Sequence, residues 1–260
     1  MKNLGIVGCG KMGQALAPGM AASTDARILC CDVSQSALDA MQACLGQRAS
    51  YTTDVDEIAK QCDVVLTAVK PVHALGVIRH LGAGCAKSIL SIVAGIKYDA
   101  LKSVANGCDV VRIMPNTPAL VGAGSMVILD NGLSSELKKL VENLFSKAGC
   151  CHFVQNEAMM DAVTGLSGSC PALFAMMAEA LADAGVAEGL PRELARDLAR
   201  ETMRGTAELL AVQHPAVLKE SVMSPGGTTA AGVLAAEKAG FRYAAAEFVR
   251  AASQRSREMG

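Results

Sequence analysis

From residue 3 to about residue 154, short apolar runs of strand length alternate with longer stretches whose apolar residues recur at helical spacing. The runs fall at 3–8, 27–32, 49–53, 63–69, 88–93, 109–114, 125–129 and 150–154. Strands that alternate with helices predict βαβ units and a parallel sheet with crossover helices on its faces. Ser34 reads as the N-cap and Gly46 as the stop of one helix, and Asp54 followed by Glu57 predicts a capping-box start for the next. After Asn156 the period changes, and Ala-, Leu- and Met-rich helical patterns run to the end. Pro191 is expected at the first position of a long helix, with Leu194, Leu198, Gly205 and Leu209 near one face. The Gly and Ala on these helices predict close packing against a second subunit.

The first strand runs into Gly8-Cys9-Gly10-Lys11-Met12-Gly13 and then a helical pattern. This is G-x-G-x-x-G in the strand–turn–helix context that gives the motif its meaning. Its glycines allow a tight turn, close approach of a pyrophosphate and close packing of helix on sheet, while the helix N-terminus offers N–H groups to the phosphates. Asp32 ends the second strand, where a carboxylate accepts from the adenosine ribose 2′-OH. The expected fold class is therefore α/β: a Rossmann-type dinucleotide-binding domain over residues 1–155, followed by an all-helical dimerisation and substrate domain over 156–260.

A nicotinamide would lie beside the carboxyl ends of the later strands, whose loops carry unusual residues: Ala68-Val69-Lys70-Pro71, Ala94-Gly95 and Met114-Pro115-Asn116-Thr117-Pro118. Pro and Asn also serve plain turns there. In the second half, Ser167-Gly168-Ser169-Cys170-Pro171 and Ser224-Pro225-Gly226-Gly227-Thr228-Thr229 read as glycine- and hydroxyl-rich loops. The latter precedes a helix, so Gly227, Thr228 and Thr229 would present backbone N–H groups and hydroxyls at its N-terminus, a seat for a small carboxylate. Cys170 reads as a buried small residue rather than a reactive thiol, and His214 as a loop or cap residue.

Composition narrows the classes. Trp is absent and Phe and Tyr are few, so the core is aliphatic, and the 24 basic and 25 acidic residues leave no basic stripe for nucleic acid. No signal-peptide layout opens the chain, and the uncharged windows 113–129 and 162–178 are broken by Pro and Gly, so neither a secreted nor a membrane-spanning protein is expected. Ten cysteines without C-x-x-C or Cys/His spacing predict reduced thiols in a cytoplasmic protein and no metal site.

Together these motifs resemble the pyrroline-5-carboxylate reductase family, the enzymes that complete proline synthesis. The resemblance spans nearly the whole chain; Ser224 to Thr229 is its most specific mark and the glycine loop its least. It implies NADP(H) and/or NAD(H) as cofactor, and a homo-oligomer that is a dimer or a multiple of dimers with a shared active site. It further implies that Ala68 to Pro71 and Ala94 line the nicotinamide, and that Val222, Ser224, Gly226, Gly227, Thr228 and Thr229 hold the substrate, with Thr229 on its nitrogen. Two residues depart from the family pattern: Cys170, where relatives often have Ser or Gly, and Asp32, where relatives often lack an acid. Asp32 predicts that NADH is accepted at least comparably to NADPH.

Two other readings are weaker. A related 3-hydroxyacid dehydrogenase needs a helical-domain lysine as acid, yet Lys219 and Lys238, the lysines after residue 147, lie outside a Gly-x-x-x-Lys-x-x-Asn pattern. A non-catalytic dinucleotide sensor would not need the hydroxyl-rich segments.

Overall fold

The computed structural model describes residues 1–84 and 86–259; Cys85 lies outside the described residues. Two units are present: Met1–Ser169 together with the chain from Ala251 onward, and Cys170–Arg250.

The first unit holds strands β1 (Asn3–Val7), β2 (Arg27–Cys31), β3 (Ala49–Thr52), β4 (Val64–Thr67), β5 (Ser88–Ser91), β6 (Asp109–Met114), β7 (Gly124–Leu129) and β8 (Gly149–Val154). Between them run helices α1 (Lys11–Ala22), α2 (Gln35–Leu45), α3 (Val55–Gln61), α4 (Pro71–Gly82), α5 (Tyr98–Val104) and α6 (Ser135–Phe145), and α7 (Glu157–Val163) follows β8. The sheet order is β3-β2-β1-β4-β5-β6-β7-β8. The first six strands are mutually parallel, as the alternation predicts. The last two are not: β7 is antiparallel to β6, and β8 follows β7 in parallel. A parallel crossover needs a dozen residues or more, whereas residues 115–123 hold only a 3₁₀ turn, Thr117–Val121, so the chain reverses.

Apolar residues cover both faces of the sheet, as a sheet sandwiched by helices requires. Leu4, Ile6, Leu66 and Leu90 meet Leu16, Met20 and Phe145 on one face, and Val7, Val65 and Ile89 meet Ile58, Ile78, Leu81 and Leu101 on the other. Each such side chain contributes roughly 1.5–3 kcal/mol on burial. Ser34 and Gly46 bound α2 as expected, Ser34 Oγ accepting from the Ala37 amide and Gly46 adopting φ +53°. The capping box does not form: Asp54 accepts from the Asp56 amide, and the Asp54 N–H donates to Thr52 Oγ1 at 3.0 Å in place of Glu57.

The second unit contains α8 (Cys170–Ala187), α9 (Arg192–Leu210), α10 (Pro215–Ser221), α11 (Thr228–Lys238) and the first part of α12 (Phe241–Met259). Gly189 ends α8 at φ +98°, with the Leu190 amide on Gly185 O and its own amide on Val186 O, a Schellman stop. Pro191 stands one position earlier than predicted, at the N-cap of α9. Gly185 gives α9 its close approach, since a Cβ there would lie 3.3 Å from that of Ala195. Only Cys170, Ala182 and Ala195 are buried in this unit, while Leu194, Leu198 and Leu209 are about half exposed.

Residues 167–171 are not a loop. A π-helical turn, Thr164–Gly168, joins α7 to α8, and the Ser169 amide and hydroxyl both donate to Thr164 O at 2.9 Å. The window 162–178 is thus helical through its Gly and Pro residues. The stretch Glu157–Ala187, 31 residues, is long and apolar enough by length and composition to cross a membrane.

Candidate functional site

Strand order reverses between β1 and β4, the switch point where open α/β sheets bind nucleotides. Three glycines meet three demands there. Gly8 turns at φ +102°, and a Cβ on it would lie 2.5 Å from the Ala68 carbonyl carbon and 2.8 Å from Val69 N. Gly13 faces the Gly8 carbonyl oxygen so closely that a Cβ would collide with it. Around Gly10, the N-cap of α1, a Cβ would meet nothing within 4 Å, and no side chain caps the helix. The turn is therefore tight, packed beneath and open above, which fits a pyrophosphate on free N–H groups at a helix N-terminus. Lys11 is exposed beside it, and Met12 packs against the core.

Asp32 faces this loop. Its Oδ2 accepts from the Cys9 amide at 2.7 Å and its Oδ1 from the Ser34 amide at 2.9 Å. The carboxylate thus ties the glycine loop to the start of α2, and Ser34 Oγ lies 2.9 Å from Ser36 Oγ at that helix start. Beneath, Cys9 and Cys31 are buried thiols. A hydrogen bond with Cys30 and loss of solvent raise the Cys9 pKa, and burial, reinforced by nearby negative groups, pushes Cys31 up to about 12.

The other predicted cofactor residues gather at neighbouring strand ends of the same unit. Ala68 and Val69 follow β4 half-buried, exposed Lys70 is the N-cap of α4, and Pro71 is its first residue. Ala94 and Gly95 turn after β5, Gly95 at φ +74°. Asn116, after β6, has a largely structural set of partners. Its Oδ1 accepts from the Ser125 amide at 2.8 Å, and its Nδ2 donates to Ser167 O at 3.3 Å and Ser167 Oγ at 3.4 Å. Ser167 O is available because Pro171, four residues on, has no N–H.

The predicted substrate residues lie together in the second unit. Ser224 to Gly227 form a turn closed by the Gly227 amide on Ser224 O at 2.9 Å, with Pro225 at its second position and Gly226 at φ +71° in its third, a type II pattern. Gly227 lacks the Cβ that would strike Ser224 Oγ, and it is the N-cap of α11, where no side-chain cap is present. The amides of Thr228 and Thr229 thus open the helix without side-chain partners, and the Thr229 hydroxyl makes no hydrogen bond among the described residues. Val222 is the exposed C-cap of α10. His214 caps α10, its Nδ1 accepting from the Ala216 amide. Among the described residues no cluster of three or more His, Cys, Asp or Glu side chains is placed to hold a metal ion.

One polar group escaped the sequence reading. Arg112, buried on β6, pairs with Glu157 of α7, whose Oε1 also accepts from the Tyr98 amide at 3.4 Å. Loss of solvent lowers the Arg112 pKa against the raising effect of Asp161. Glu157 Oε2 and Ser91 Oγ are buried with no partner among the described residues. The available signal was a lone charge in the apolar run Val110-Val111-Arg112-Ile113-Met114, since a buried charge requires a partner.

Comparison with known proteins covers both units. A family model described as pyrroline-5-carboxylate reductase dimerisation matches residues 157–259, and one described as NADP oxidoreductase, coenzyme F420-dependent, matches residues 3–95. The chain is 43% identical to a pyrroline-5-carboxylate reductase of Synechocystis, over 99% of this chain and 98% of that one. It is 40% identical to one of Arabidopsis thaliana, over 98% and 95%. The crystal structure of Plasmodium falciparum pyrroline carboxylate reductase with NADP bound superposes with a TM-score of 0.87 at 33% identity, covering 99% and 98%.

Proposed function

The chain belongs to the pyrroline-5-carboxylate reductase family, and on that premise we propose that it reduces 1-pyrroline-5-carboxylate to L-proline with NADPH. The observation that carries this reading is the α11 N-terminus, uncapped by any side chain and opened by the Ser224–Gly227 turn. Its free N–H groups suit the carboxylate of a small cyclic imino acid.

NADPH, when bound, supplies the hydride. The Gly8 to Gly13 turn and the α1 N-terminus would hold its pyrophosphate, and a side chain at Gly10 would fill that cradle. Ala68, Val69, Lys70, Pro71 and Ala94 line the nicotinamide. Ser224, Gly226, Gly227 and Thr228 seat the substrate carboxylate beside Val222, and the Thr229 hydroxyl orients the ring nitrogen. A protonated imine is already electrophilic, so the side chains have to position and desolvate rather than supply a strong acid. Asp32 keeps the glycine loop in register with the start of α2, where Ser34 and Ser36 would meet the adenosine end of the cofactor.

The matched dimerisation domain makes the protein a homo-oligomer. We read it as a dimer or a multiple of dimers in the cytoplasm, with the apolar surface of Glu157–Ala187 covered by protein rather than lipid. The functional test is to follow NADPH and NADH oxidation with pyrroline-5-carboxylate beside a panel of 2-keto and 3-hydroxy acids. Turnover of the imine alone is expected. Turnover of another acid with no response to the imine would overturn the assignment.

A further inference from the structure

The loop over residues 92–97, which carries Ala94 and Gly95, is supported at three points, and two of the supports lead to the far end of α12. At its tip, a Cβ on Gly95 would lie 3.1 Å from Met259 Cε and 3.2 Å from Met259 Cβ, so the methionine rests on the bare glycine backbone. At its exit, the Tyr98 amide donates to Glu157 Oε1, the oxygen that also receives Arg112. At its entry, Ser91 is in register with Arg112 across β5 and β6. One turn beyond Glu157 on α7, Asp161 Oδ1 accepts from Ser256 Oγ at 2.6 Å. Ser253 and Ser256 are 6% and 5% exposed on α12, and half-exposed Met259 follows one turn beyond Ser256. A serine hydroxyl on a buried helical face needs a partner, and Asp161 supplies it.

We propose that Met259 and Ser256 are positioning residues that set the nicotinamide-lining loop: Met259 directly on Gly95, and Ser256 through Asp161 on the helix that carries Glu157. The proposal rests on the reading of Ala94 as a nicotinamide contact and extends it to residues far away in sequence. A glycine turn with a half-exposed backbone has little of its own to fix it, and hydride transfer tolerates displacements of only about 1 Å. The support acts on geometry, and a loosened loop leaves the pyrophosphate site at Gly8 to Gly13 intact.

The test compares the full-length protein with Met259→Ala, Ser256→Ala and the conservative Met259→Leu by amide hydrogen exchange, and by kinetics with NADPH and pyrroline-5-carboxylate. Expected in both alanine variants are exchange at residues 92–97 about fivefold faster or more, with β1 and β4 protected as before, kcat down about tenfold and KM for NADPH within twofold. Met259→Leu should restore both readouts. Unchanged exchange at 92–97 would overturn the proposal, as would faster exchange spread evenly over the sheet, which signals general destabilisation. A freed loop with unaltered kcat would overturn it too. If the unsubstituted protein fails to turn over the imine, the functional reading falls, and the exchange pattern still decides whether α12 holds the loop.

Discussion

The amide of Cys9, inside the glycine loop, donates to Oδ2 of Asp32, at the end of the neighbouring strand, across 2.7 Å. Its other oxygen takes the Ser34 amide, so the carboxylate braces the cradle from both sides. Hydrogen bonds to a charged acceptor are worth about 1.5–3 kcal/mol each. Asp32→Ser should therefore lower kcat/KM for NADH and NADPH together, by about tenfold or more. The ratio should shift toward NADPH, because a negative charge that repels a 2′-phosphate has gone. Undiminished efficiency with NADPH, measured beside NADH, would show that the two backbone bonds carry nothing.

Gly10 and Gly13 should fail differently. Gly10→Ala places its methyl in open space at φ −74°, so the melting temperature should stay within about 2 °C while KM for NADPH rises tenfold or more. Gly13→Ala drives a methyl into the Gly8 carbonyl and should cost about 1–3 kcal/mol of stability. Thermal melts and NADPH titration of both variants check this, and a cofactor-competent Gly10→Ala would remove Gly10 from the phosphate site.

Thr229→Ala should slow reduction by roughly tenfold to a thousandfold, the range for one or two lost transition-state hydrogen bonds. Affinity for NADPH should hold, since Thr229 lies outside the nucleotide-binding unit. Steady-state kinetics with Thr229→Ser as the control decide it. An alanine variant with full kcat/KM would take the hydroxyl out of the reaction.

The cysteines should divide by burial. Cys31 is pushed up to about 12 and Cys62 to about 11, both first by loss of solvent, so at pH 8 only about 1 in 10,000 and 1 in 1,000 of these thiols would be ionised. Among the described cysteines, exposed Cys44 and Cys150 should be alkylated first, as peptide mass spectrometry would show. The sign for stability follows. Native pKa values raised above the ordinary 9.0 mean that the native state keeps these protons longer than the unfolded chain. Their contribution is complete below about pH 9 and is lost as pH rises toward 11 and 12. Alkaline melts that show no decline over that window would contradict it.

Leu194→Lys combined with Leu198→Lys, at two half-exposed positions of α9, should yield monomers or aggregates with little activity. Light scattering at micromolar concentration reads the mass directly. A fully active monomer of the unsubstituted chain would refute the oligomeric reading.

Local signals proved legible wherever the chain's own neighbours decide the outcome. The strand runs, Ser34 and Gly46 as the bounds of α2, the tight turn at Gly8 and the close packing at Gly13 all follow from demands within a few residues. Failures arise where a second group or a length constraint competes with the expected one. Thr52 took the Asp54 amide from Glu57. A connection too short for a crossover reversed β7 and β8. The glycine and proline of 167–171, read as loop formers, were absorbed by a π turn and the start of α8, and the freed Ser167 carbonyl is taken by Asn116. Arg112 went unread in its apolar strand because its partner, Glu157, comes from α7, 45 residues on. The Ser224–Gly227 turn was legible as a motif because it is local, while the contact of Met259 with Gly95 has no local trace.

The helical unit buries Cys170, Ala182 and Ala195 and no other residue of its own. A fold whose apolar surface is covered only on association has a stability that is a function of concentration. Its melting temperature should climb with protein concentration, and refolding from denaturant should contain a second-order phase that slows on dilution. Newly made chains, sparse at first, would expose long apolar helices until they meet, which makes subunit abundance itself a determinant of how much active enzyme forms.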